Sequence, residues 1–167
     1  LYCSGTVRAL QYAVEAFTRP GDGVIIQRPV YPPFTSSVED AGRTVLNNRL
    51  VRHVEGDEQG DLYYTMDFDG LEQLAARPEA TMLILCNPHN PVGRVAQVAP
   101  YARVMTCTAV NKTFNLAVLA ATNLVFSDGR DRVRFERVMG FAEPSPFAIS
   151  AVIAAYEQGE EWLEQCR

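Results

Sequence analysis

The run Thr81-Met82-Leu83-Ile84-Leu85-Cys86 is continuously apolar and stops at Asn87-Pro88. Such a run has the character of a central strand in a parallel sheet, covered by helices on both faces. The flanking sequence supplies the helices. From Thr6 to Phe17 the residues Val7, Leu10, Ala13, Val14 and Phe17 recur at helical spacing, and Arg19-Pro20-Gly21-Asp22-Gly23 turns the chain out of that helix. Val24-Ile25-Ile26 reads as a buried strand, residues 34–41 as a short helix, 44–50 as a strand and 55–61 as a surface loop. A helix over 67–76 starts at a capping Asp67. Strand-like runs near 105–109 and 119–127 are followed by helical patterns over 130–141, 146–156 and 160–163. This alternation predicts an α/β fold, a mostly parallel sheet flanked by helices.

Composition narrows the function classes. With 47% hydrophobic residues in 167, the chain can bury a real core. The net charge of −5 and the scattered arginines argue against nucleic acid as a partner, because phosphate binding needs a clustered basic surface. No apolar run approaches the roughly 20 residues of a membrane span, and the first residues lack the pattern of a secretory signal, so a cytoplasmic protein is expected. Cysteines 3, 86, 107 and 166 form no CxxC pair and read as reduced thiols, with Cys86 and Cys107 expected in the core. His53 and His89 stand too isolated for a metal site. The 15 basic residues divide into 14 arginines and one lysine, Lys112. Both ends of the chain read as interrupted patterns, as in a piece of something larger.

The most specific segment is Cys86-Asn87-Pro88-His89-Asn90-Pro91-Val92-Gly93-Arg94, a buried strand running into a loop stiffened by two prolines. Such a loop holds side chains at a strand's carboxyl end, where open α/β sheets place ligands; a plain Pro-rich turn is the alternative. Together with Pro29-Val30-Tyr31-Pro32-Pro33-Phe34 and Lys112-Thr113-Phe114-Asn115-Leu116-Ala117, this segment resembles the class I/II aminotransferases of fold type I. Within them it is most similar to the cystathionine β-lyase-like (C–S lyase) branch, whose cofactor is pyridoxal 5′-phosphate. The resemblance implies a partial large, PLP-binding domain over 1–167, with 146–167 leading toward a small domain.

Residue by residue, the resemblance gives Lys112 as the lysine that bonds to the cofactor aldehyde and later moves the substrate Cα proton. Lysine suits this work because its amine can be made neutral by burial or nearby positive charge, whereas arginine stays protonated. Asn90 matches the amide that donates to the ring 3′-oxygen, and Tyr31 the aromatic over the pyridine ring. Gly5, Thr6 and Val7 match the turn that receives the phosphate, where free N–H groups and a helix N-terminus favour a dianion. Arg94 reads as a scaffold or rim residue.

The chain also departs from that family. Several dozen residues normally separate the Gly93-Arg94-Val95 motif from the strand before the lysine, and here only residues 96–105 fill the gap. The segment so lost includes a strand and an aspartate that would keep the pyridine nitrogen protonated. Asn111, Val110 and Val118 replace a usual serine, proline and glycine. Two expectations follow: a PLP-dependent β-eliminating enzyme acting on a cystathionine-like amino acid or cysteine conjugate as a homodimer, or a catalytically impaired remnant that binds PLP weakly or not at all.

Overall fold

The computed structural model describes residues 1–56, 61–96 and 103–166. In chain order these form β1 (Tyr2–Cys3), α1 (Thr6–Phe17), β2 (Gly23–Ile26), α2 (Pro33–Glu39), β3 (Thr44–Asn47), β4 (Val51–Glu55), β5 (Asp61–Thr65) and α3 (Phe68–Ala75). There follow β6 (Ala80–Leu83), β7 (Met105–Thr108), α4 (Val110–Thr113), β8 (Thr122–Phe126), α5 (Gly129–Met139), α6 (Pro146–Gln158) and α7 (Glu160–Gln165). They fall into two compact units, one of Leu1–Ala16 with Tyr101–Arg167 and one of Phe17–Pro100.

In the second unit β2 is the centre of a three-stranded parallel sheet ordered β3-β2-β6, with Gly23 opposite Thr44 and Ile26 opposite Asn47. Parallel neighbours require crossovers, and the chain supplies α2 between β2 and β3 and α3 before β6. All four β2 residues are buried, so the Gly-Val-Ile-Ile run is the apolar spine of this unit. Gly23 sits where a side chain would not fit, since an added Cβ would lie 2.6 Å from Leu46 Cδ1 and 3.2 Å from the Glu79 carbonyl. Asp67 caps α3 as its sequence position suggests, accepting from the Gly70 N–H at 2.9 Å. A separate antiparallel hairpin pairs β4 with β5, Val51 opposite Thr65 and Glu55 opposite Asp61.

The first unit has a three-stranded antiparallel sheet ordered β1-β8-β7. Its core gathers Ala9, Leu10, Ala13 and Val14 from one face of α1 with Leu124 of β8 and Phe135 of α5. Phe135 is fully buried, with the Tyr12 ring edge-on at 6.1 Å and the Phe126 ring at 5.6 Å. At α6 and α7, Phe114 meets the rings of Tyr156 and Trp162 at 6.2 and 5.9 Å.

The α/β class stands, but the mostly parallel sheet is corrected: the described residues mix one parallel sheet, one antiparallel sheet and a hairpin. The link from β7 to β8 carries a single helical turn rather than a helix able to lie along the sheet, and the chain returns antiparallel. The 81–86 run is likewise not central among the described residues, where β6 pairs on one side only and Leu83 is 46% exposed. Cys86 and Cys107 are half-buried rather than core residues, and the fully buried thiol is Cys3. The shortened stretch near 95–105 lies partly outside the described residues, which omit 97–102. No helix among the described residues is long and apolar enough to cross a membrane.

Candidate functional site

Gly5, Thr6, Val7 and Lys112 belong to the first unit, and Tyr31 and Asn90 to the second. In the first, β1 ends in a tight turn in which the Gly5 N–H donates to the Cys3 carbonyl at 2.9 Å and Gly5 adopts φ +115°. Only glycine enters that region without strain. The Gly5 carbonyl then accepts from Ala9 N–H at 3.0 Å, which makes Gly5 the residue that opens α1. Among the described residues no acceptor is found for the N–H groups of Thr6, Val7 and Arg8, as at any helix start, where the positive end of the 12-residue helix lies.

Thr6 is braced by β8: its hydroxyl lies 3.3 Å from that of Thr122, a buried residue of that strand. Burial pushes the Cys107 thiol up to about 11, with nearby Cys3 adding to the rise and the Thr6 hydrogen bond opposing it. Burial likewise raises the Cys3 thiol. Both stay neutral at physiological pH and leave the helix start free of a competing thiolate.

Lys112 follows β7 directly, on the one-turn helix α4. The apolar stretch around it in sequence suggests burial, but its side chain is exposed, because a four-residue helix followed by a turn at Leu116–Leu119 gives it no cover. Asn115 holds φ +53° just after α4, where the Leu116 N–H donates to the Asn111 carbonyl at 2.8 Å, and Val118, where the family pattern has glycine, is 95% exposed.

In the second unit Tyr31 and Asn90 are brought together through backbone: the Tyr31 N–H donates to the Asn90 carbonyl at 2.9 Å. The Tyr31 ring is 42% exposed, and the Asn90 side chain is exposed with no hydrogen-bond partner among the described residues. The Asn90 loop is closed on itself by His89 N–H to the Arg94 carbonyl and Gly93 N–H to the His89 carbonyl, both 2.7 Å. Asn87 clamps its far side, donating to the Ala96 carbonyl and accepting from the Ala96 N–H at 3.0 Å each. Arg94 reaches over the Tyr63 ring, 5.8 Å from its centre, which suits a scaffold residue.

His53 stacks on Tyr63 at 4.8 Å with Nε2 2.7 Å from the Thr65 hydroxyl, and the described residues hold no cluster of three or more potential metal ligands. His89 is the residue that sequence reasoning undervalued: it is 5% exposed, with Nε2 3.0 Å from the Pro29 carbonyl. A histidine inside a two-proline loop was the available signal. Two surface depressions, one along Arg130, Val133 and Arg137 of α5 and one against Arg28 and Thr35, contain none of the predicted site residues.

Comparison with known proteins shows the family. Residues 1–118 match the family described as aminotransferase class I and II. A cystathionine β-lyase from Bacillus subtilis, PatB, is 34% identical over 208 positions that cover 98% of this chain and 52% of that protein. A cystathionine β-lyase from Corynebacterium glutamicum is 27% identical over 202 positions, covering 95% of this chain and 51% of that protein. Cystalysin from Treponema denticola, a structure containing a pyridoxal 5′-phosphate cofactor, superposes with a TM-score of 0.88 at 28% identity, covering 99% of this chain and 52% of the other. The chain thus spans about half the length of these relatives. In the PatB match, 98% of this chain is about 164 residues against 208 aligned positions, so about 40 positions face no residue here. With the family match extending over more than two thirds of its length, the chain belongs to the class I and II aminotransferases.

Proposed function

We propose that this chain carries the cofactor-binding half of a pyridoxal 5′-phosphate-dependent C–S lyase of the cystathionine β-lyase kind. The observation that carries the reading is the presence, in one unit, of the sequence's one lysine, exposed on the turn after β7, and of a Gly5-Thr6 helix start whose Thr6 hydroxyl lies 3.3 Å from that of Thr122. Those donors suit the two ends of the cofactor, backbone N–H groups and a hydroxyl for a phosphate and a primary amine for an aldehyde, whereas the roles of Tyr31 and Asn90 on the second unit come from the family resemblance. The cystathionine β-lyases among the relatives and the PLP of cystalysin favour the same assignment.

In this reading, carried by the family resemblance, Thr6, Val7 and the Gly5 turn would hold the phosphate. When bound, the cofactor supplies an electron-accepting ring to an amino-acid substrate. Tyr31 would cover a face of that ring and exclude water from it. Asn90 would donate to the ring oxygen without adding charge. Lys112 would take the proton from the substrate Cα, a thiolate would leave the β-carbon, and water would hydrolyse the released enamine, so that a thioether amino acid and one water give a thiol, pyruvate and ammonia. We place residues 1–167 in a partial large domain of this fold, its internal deletion near 95–105 and its 146–167 segment leading to a small domain. A cytoplasmic location and a homodimer belong to the same proposal.

A second reading is supported by the roughly 40 unmatched positions: a copy impaired in catalysis, because the aspartate that would keep the ring protonated falls in the shortened stretch. Incubating the chain with PLP and L-cystathionine separates the readings. Pyruvate and thiol released in equal amounts supports the lyase, keto-acid exchange without thiol points to transamination, and neither product favours the impaired copy.

A further inference from the structure

We propose that His89 is a positioning residue that ties the loop carrying Asn90 to the loop carrying Tyr31, so that one buried imidazole sets both groups. This rests on the reading above for what the two groups contact, but the latch itself is a property of the chain. A backbone carbonyl can only accept, so the 3.0 Å contact to Pro29 requires the hydrogen on His89 Nε2. That bond anchors residue 89 to residue 29, and the Tyr31 N–H anchors residue 31 to residue 90 at 2.9 Å. Two cross-links two residues apart on one strand of chain and one residue apart on the other leave little freedom between the loops. The backbone bonds from His89 to Arg94 and from Gly93 back to His89 hold the imidazole's own loop in a closed turn.

Among the described residues the Asn90 side chain has no hydrogen-bond partner, and the Tyr31 ring is 42% exposed. Their placement therefore depends on the backbone tie, and of residues 85–96 His89 alone is buried, Ile84 marking the end of the packed strand. A glutamine amide reaches about as far as Nε2 and can donate in its place; asparagine falls short by one methylene, and leucine fills the space without donating.

The test compares wild type with His89→Gln, His89→Asn and His89→Leu by residue-resolved amide exchange, without cofactor. In wild type and His89→Gln the Tyr31 amide stays protected, and in His89→Leu and His89→Asn it exchanges about five- to tenfold faster, while the amides of Val24, Ile25 and Ile26 are unchanged. Equal Tyr31 protection in all four proteins, or loss in His89→Gln equal to that in His89→Leu, overturns the latch. Should His89→Leu also expose the β2 amides, the comparison of Gln with Asn decides by the same criterion. A parallel pH titration of the absorbance of the PLP-loaded proteins is expected to shift in His89→Leu and return in His89→Gln. Absence of any PLP absorbance in wild type overturns the cofactor reading alone, and the amide data still judge the latch.

Discussion

Replacing Gly5 by alanine separates the cost of the turn from its use. At φ +115° an L side chain is strained by about 1–3 kcal/mol, and space does not add to this, since an ideal Cβ would meet only Ala120 Cβ at 3.8 Å. Gly21→Ala is the matched control: Gly21 holds φ +90° with nothing within 4 Å of an added Cβ, and it lies in the other unit. Both variants should lose stability by that same amount, several degrees in melting temperature for a chain of this size. They should differ with ligand. PLP at a hundred times its dissociation constant stabilises wild type by about 2.7 kcal/mol. If relaxation of the Gly5 turn costs one charge-assisted hydrogen bond to the phosphate, affinity falls about tenfold or more, and the gain shrinks to about 1.4 kcal/mol or less. Urea unfolding with and without PLP reads both quantities. Equal ligand-induced gains in Gly5→Ala and Gly21→Ala would refute the role of the turn in binding phosphate.

Other perturbations test the scaffold. Gly23→Ala places a methyl against buried Leu46 and the Glu79 carbonyl, and should lower unfolding free energy by about 1–3 kcal/mol; an unchanged urea midpoint would contradict the packing of the parallel sheet. Phe135→Ala removes a fully buried ring between Tyr12 and Phe126 and should cost about 3–5 kcal/mol in the same assay. Cys107 has a folded-state pKa of about 11 against an ordinary value near 9, so its contribution is fully present below pH 9 and declines as pH rises toward 11. Cys107→Ala should flatten that alkaline decline, which amounts to at most about 2–3 kcal/mol. A decline of the same size in the variant would assign it to other groups.

Much of the fold was legible because its signals are local. The spacing of Val7, Leu10, Ala13 and Val14 reproduces α1, and Asp67 caps α3 where the sequence places it. The β4–β5 hairpin escaped because Val51-Arg52-His53-Val54-Glu55 and Asp61-Leu62-Tyr63-Tyr64-Thr65 are largely exposed, and polar residues at alternate positions in a solvated hairpin resemble a loop. Sheet direction was not legible at all, since it depends on which distant strands pair. The apolar run ending at Cys86 carries the signature of a covered strand, yet among the described residues β6 has a neighbour on one side only. At the site, residue types were legible through the family resemblance, whereas surroundings were not. Lys112 sits in an apolar stretch of sequence but on an exposed turn, and His89, without chemistry of its own in the motif, holds the buried contact between two loops.

The central claim is that Lys112 receives the cofactor aldehyde. Mixing the chain with PLP, reducing with borohydride and mapping the adduct by mass spectrometry tests it directly, because the sequence contains no other lysine. Lys112→Ala, run beside it, controls for reaction at the α-amino group. One pyridoxyl group per chain on Lys112, absent in the variant, is the predicted result. No adduct, or one confined to the amino terminus, would contradict the account.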